Sequence, residues 1–208
     1  MRGSTVAKAA DAVAGGEVPR AEAVSTLGAN VELYSYAGSQ RANASDARRA
    51  QDMIDEAKES GALDAKAEVS VDNLKLLVAD AAQAEELAAS FDQDQAQRKR
   101  ILEDDGLVAG FGNNGGEEYL SHLMTSESLI IVGGNDYLAW KEKMAGLLTK
   151  SQNPDGTWSG HHCITSPVFC TAAVLQCMTV ERDAGMLRAI ALADAKDLKP
   201  AADGKAQP

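Results

Sequence analysis

Apolar residues three and four positions apart, cut at intervals by glycine, are what most restrict the fold of this chain. Leu74, Leu77, Val78 and Ala81 form one such series, and Tyr137, Trp140, Met144, Leu147 and Leu148 form another. Val24, Leu27, Val31 and Tyr34 repeat the pattern near the start. Side chains at these intervals share one face of an α-helix. The breaks are equally regular. Gly15-Gly16, Gly61, the glycine-rich run from Gly106 to Gly116 and Gly133-Gly134 each suit a helix end or a connection. The pattern predicts an all-α fold.

Read in order, the first half predicts a helix from Pro19 through Gln40 and a second ending at Gly61, with Ser45 a candidate cap. The stretch from Ser70 to Gly106 reads as one long helix or two, closed by Asp104-Asp105-Gly106. A helix over Glu117–Val132 should point Tyr119, Leu120, Leu123 and Met124 inward. After Gly133-Gly134, Asn135 or Asp136 can cap the helix that carries Trp140. Ser166 then caps a helix with Pro167 in its first turn, which should bury Phe169, Ala172, Ala173 and Leu175. A short helix from Ala184 to Leu198 and a frayed tail end the chain.

Charge narrows the function. The formal net charge is −11, and the one basic cluster, Arg98 to Arg100, lies among acids. Nucleic-acid backbones and anionic membranes select clustered Lys and Arg, so neither is expected as a partner. No segment reaches the ~18 consecutive apolar residues of a membrane span. The start lacks a hydrophobic signal core, which leaves the compartment open and allows a mature secreted portion. Hydrophobic residues make up 45% of the chain but aromatics only 4%, so the core should be built from small and aliphatic side chains.

The second half repeats a unit. "GFGNNGGEEYLSHLM" and "GTWSGHHCITSPVFCTAAVL" each join the end of one helix to the start of a more apolar one. A repeat of ~45 residues predicts helical hairpins stacked side by side. The expected division is N-terminal hairpins over 1–105, repeat units over 106–183, and a short helix and tail over 184–208, within one continuous domain.

Gln152, Asp155, Gly156 and Trp158 sit in the string Q-N-P-D-G-T-W. Gln-x-x-x-Gly-x-Trp resembles the repeat signature of terpene cyclases and protein prenyltransferase β subunits. The stretch from Gly106 to Met178 is similar to bacterial prenyltransferase/squalene-oxidase-repeat proteins. The resemblance implies an arc or incomplete αα-toroid of helical hairpins, and a structural motif. The glutamine amide would bond backbone groups at a neighbouring helix end, and the tryptophan would cover it from water. Asp155-Gly156 supplies the tight turn.

The relatives' catalytic groups have no counterpart here. "DQDQ" at Asp92 to Gln95 does not match the acid motif of protonating cyclases, and Asp104-Asp105 lacks the final acid of the magnesium-binding motif. Ser166, Pro167 and Val168 stand where prenyltransferases hold zinc. The expected function is therefore a non-catalytic scaffold or binding module whose concave face takes a protein or an apolar ligand, alone or in a larger assembly. The alternative is an isoprenoid-acting cyclase or transferase, or a fragment of one.

A third reading rests on His161, His162, Cys163 and Cys170, since zinc prefers imidazole and thiolate. Their spacing lacks the usual ligand gaps, so no cofactor is expected, with zinc the one possibility. The plainer reading makes the histidines loop residues and the cysteines small hydrophobes. A Cys163–Cys170 disulfide and a Cys163 nucleophile served by His161 or His162 are the other options. Cys170 and Cys177 should share one helix face.

Overall fold

The computed structural model describes residues 20–108 and 115–193, with side chains described from residue 33. The side chains of Val24, Leu27 and Val31, the expected Gly15-Gly16 break and the expected continuation of the last helix to Leu198 lie outside these. The described elements are helical: α1 (Arg20–Glu59), α2 (Val71–Lys75), α3 (Ala81–Glu103), a 3-10 turn (Asp105–Val108), α4 (Glu117–Val132), α5 (Asp136–Ser151), α6 (Pro167–Thr179), a second 3-10 turn (Val180–Asp183) and α7 (Ala184–Ala193). No strand occurs among the described residues. None of their helices is long and apolar enough to cross a membrane.

The expected break near Ser45 is absent, and one helix of 40 residues runs through it. Ala37, Ala44, Ala47 and Ala50 are fully buried along α1, so small side chains bring it close to its neighbours. Charged pairs such as Arg48–Asp52, at 2.8 Å, support the helix locally. Gly61, in the left-handed region at φ 74°, closes it as expected. The stretch from Ser70 onward is two helices. Ser70 accepts from the Asn73 amide at 3.2 Å to start α2, and Asp80 accepts from the Ala82 amide at 2.9 Å to start α3.

α4 is the centre of the molecule. It packs against α1, α5, α6 and α7, and no residue along it is exposed. The inward face differs from the one its apolar residues predicted. Leu120, Leu123 and Met124 are only half-buried, whereas Ser121, His122, Thr125, Ser126 and Ser128 are fully buried. The hydroxyls of Ser121, Ser126 and Ser128 donate to carbonyls one turn back, at 2.9, 2.7 and 2.7 Å. Such local bonds satisfy small polar groups without help from neighbouring helices. Trp140 of α5 adds an indole N–H donated to Ser126 Oγ at 2.9 Å. Arg48 from α1 and Arg188 from α7 donate to the Val132 and Ile130 carbonyls, placing cations at the negative end of α4.

One hydrophobic core runs from Leu33 to Ala191. At its edge Arg98 of α3 pairs with the buried Asp94 at 2.7 Å and with Asp136 of α5 at 2.8 Å. Burial nevertheless raises the Asp94 pKa, with Arg98 opposing the shift.

α6 also turns differently from expectation. Cys170, Ala173, Val174 and Cys177 face the core, while Phe169, Ala172 and Leu175 face outward. The shared face of Cys170 and Cys177 and the Ser166 cap with Pro167 behind it agree with the sequence.

Candidate functional site

The turn between α5 and α6 begins at Gln152, which ends α5. Its amide donates to the Gly156 carbonyl at 2.9 Å, within its own loop and exposed, so it does not reach a neighbouring helix end. Asp155 Oδ1 accepts from the Thr157 amide and hydroxyl at 3.0 and 2.7 Å, and these bonds hold its carboxyl below the usual range. Gly156 sits at φ 86°, which favours glycine there. Trp158 makes the bond that the motif assigned to glutamine. Its buried indole N–H donates to the Leu148 carbonyl at 2.8 Å, at the open end of α5, and its backbone N–H donates to Thr171 Oγ1 of α6 at 3.1 Å.

Beyond Trp158 the loop folds against the start of α4. The Gly116 amide donates to the Ile164 carbonyl at 2.8 Å. Glycine is required by close approach here. A Cβ on Gly160 would meet the Ile164 carbonyl and lie 2.8 Å from the Gly116 nitrogen. One on Gly116 would lie 2.9 Å from Cys170 Sγ. The two loops that the sequence placed at equivalent points are therefore in direct contact.

That contact gathers three ionisable groups. One ligand atom each from Glu117, His162 and Cys163 lies within 4.8 Å of the other two. His162 Nδ1 is 3.1 Å from Cys163 Sγ. Neighbouring side chains seldom face each other. Here Cys163 takes a left-handed backbone, φ 56°, which turns its thiol back onto the imidazole. Glu117 Oε2 is buried and has no hydrogen-bond partner among the described residues.

Only two of the four residues singled out as a metal or thiol set meet. His161 is exposed and outside the cluster. Cys170 is buried in the core, its thiol 3.8 Å from the Ile164 carbonyl, and burial pushes its pKa up. All three cysteines are free. Burial pushes the Cys177 thiol up to about 12, and it donates to the Tyr119 carbonyl at 3.4 Å, the behaviour of a small core residue. Glu117 was missed because an acid at a helix start needs no other explanation. The available signal was the equivalence of the two glycine-rich loops, which brings the residue after one beside the residues of the other.

A second feature is apolar. A groove of about 220 Å³ opens between α5 and α6, lined by Met144, Leu148, Trp158, Cys177 and Met178. Leu175 and Val168 stand exposed on the same helix as Met178. Compared with family models, curated proteins and solved structures, the chain matches none.

Proposed function

We propose that this protein is a non-catalytic helical binding module that docks a protein partner through the outer face of α6, with the groove beside it as anchor pocket. The observation that carries this is the composition of α6. It has no charged residue, yet Val168 is 82% exposed, Leu175 53% and Met178 56%. Large apolar side chains exposed together on one uncharged helix face are normally covered. The groove is below the ~300–1,000 Å³ typical of small-molecule sites, so it suits one anchoring side chain better than a whole ligand. Apolar surface continuing beyond a pocket is the pattern of a protein interface. α7 also exposes Met186 and Ile190.

The kinship with prenyltransferase/squalene-oxidase-repeat proteins, and with it the arc of hairpins, belongs to this proposal. Its support is that α4 and α6 lie side by side and that the loops entering them touch. Against an isoprenoid-acting enzyme stands the packing of α4, whose Leu123 and Glu127 line a pocket of only about 180 Å³, below the ~300–1,000 Å³ typical of small-molecule sites.

A photo-crosslinking residue at Leu175 should give one discrete protein adduct in cells. The same residue at the exposed Lys99 of α3 should not. Met178→Glu should abolish the adduct while leaving stability within about 0.5 kcal/mol, as for other exposed sites. Equal adducts from both positions, or an adduct indifferent to Met178→Glu, would refute the reading.

A further inference from the structure

The geometry points to a zinc-type metal site at Glu117, His162 and Cys163, where the loop after Trp158 meets the first turn of α4. Carboxylate, imidazole and thiolate are the side chains zinc takes, and one ligand atom from each falls within 4.8 Å of the others. Zn–O, Zn–N and Zn–S bonds of about 2.0–2.3 Å place ligand atoms roughly 3–4 Å apart around a tetrahedral ion. The 3.1 Å between His162 Nδ1 and Cys163 Sγ is close to that range. Small rotamer changes bring in the carboxylate.

The second observation is the carboxylate itself. Glu117 Oε2 is buried without a hydrogen-bond partner among the described residues, on a carboxylate that comes within 4.8 Å of the thiol and imidazole. A buried oxygen with no donor is costly, and a divalent cation bound there removes that cost. A plain thiol nucleophile with an imidazole base gives no role to that acid, so the metal reading accounts for more of the site. The loop is also fixed in place. Gly160 and Gly116 allow the two segments their close approach, and the Gly116 amide ties them through Ile164. Three protein ligands leave a fourth position for water or a substrate atom, the arrangement of an open rather than a closed zinc site.

The test uses the whole chain, stripped with a chelator and titrated with cobalt(II), then zinc. The expected result is one cobalt per chain with thiolate-to-cobalt charge-transfer absorption, displaced by stoichiometric zinc. Cys163→Ser should abolish the band, and Glu117→Gln should weaken binding at least ~100-fold, beyond the loss typical of residues that only orient a ligand. His161→Ala should leave affinity unchanged. Cobalt bound without a thiolate band, or lost equally in His161→Ala, would overturn the site. A readout without substitutions is alkylation of Cys163 in the native protein. One equivalent of zinc should slow it at least tenfold. An unchanged rate also overturns the proposal and leaves a metal-independent thiol–imidazole contact in its place.

Discussion

Mild acid should destabilise this fold through one residue, His122. Its ring is fully buried, 5.1 Å from the Trp140 ring, and Nδ1–H donates to the Glu118 carbonyl at 2.7 Å. Burial lowers its pKa from 6.5 to about 4, against the opposing effect of the carbonyl bond. The folded protein thus keeps His122 neutral in a range where the unfolded chain takes up a proton. A depressed folded value means that the contribution is complete above the unfolded pKa of 6.5 and is lost as pH falls through about 4. Each pKa unit is worth about 1.4 kcal/mol, so roughly 2 kcal/mol disappears between pH 7.5 and pH 5, and about 3 by pH 4. The carboxylates add their own pH dependence equally to wild type and variant, so it cancels in the comparison. Asp105 and Asp155 are held below their usual 3.8, so their losses begin there, while the raised Asp94 acts with the opposite sign. Urea unfolding at pH 7.5 and pH 5.0 measures the effect. His122→Gln keeps a donor for the Glu118 carbonyl and removes the titration, so the gap between wild type and variant should narrow by about 2 kcal/mol at the lower pH. Equal pH sensitivity in both proteins would refute the argument.

Trp158→Ala should cost about 3–5 kcal/mol in a thermal or urea melt, since it removes buried area and the donor for the Leu148 carbonyl. Gln152→Ala should cost only about 0.5–1 kcal/mol, because its one bond is local and exposed; a loss as large as that of Trp158→Ala would restore the glutamine to the centre of the motif. Gly160→Ala should destabilise by about 1–3 kcal/mol, as its methyl group forces apart the loop and the start of α4, and an unchanged melting temperature would show that the two segments do not touch.

Helix ends were the most legible part of the sequence. Gly61, Gly133, Ser166 and Pro167 act through local backbone chemistry, which does not depend on what the helix packs against. The limits of α4 and α5 follow from such signals, and so does the apolar stripe of Tyr137, Trp140, Met144 and Leu148. Ser45 misled because a good capping residue is tolerated inside a helix stabilised by buried alanines and charged pairs on either side. At the α5–α6 turn, the residues of the motif were readable but their bonds were not. Glutamine and tryptophan both carry an N–H donor, and sequence alone does not say which one reaches the carbonyls at the end of α5. The Glu117 cluster was illegible for a tertiary reason, since 45 positions separate Glu117 from His162.

The sequence placed Tyr34 of α1 inward, whereas it is exposed beside the buried Leu33; it also misplaced the buried faces of α4 and α6, and those two errors have one physical origin. Amphipathic reasoning assumes a helix with one wet side and one dry side. α4 has no fully exposed side, so Ser121, Ser126, Ser128 and His122 can lie inward once their hydroxyls and ring bond back along the helix. α6 has no charged residue and only Thr171, Gln176 and Thr179 as strongly polar ones, so periodicity does not choose sharply among its faces, and packing chose the narrow one of Cys170, Ala173, Val174 and Cys177 against α4. The small inner face lets α6 sit close to α4. That closeness brings the loop preceding α6 onto Gly115-Gly116 and His162-Cys163 onto Glu117. The same choice of face turns Val168, Leu175 and Met178 outward. The side-chain cluster and the apolar docking face are thus two consequences of one packing decision. Enlarging Ala173, on the α4 side of α6, should therefore disturb both, whereas Leu175→Glu on the outer side should affect docking and leave metal binding intact.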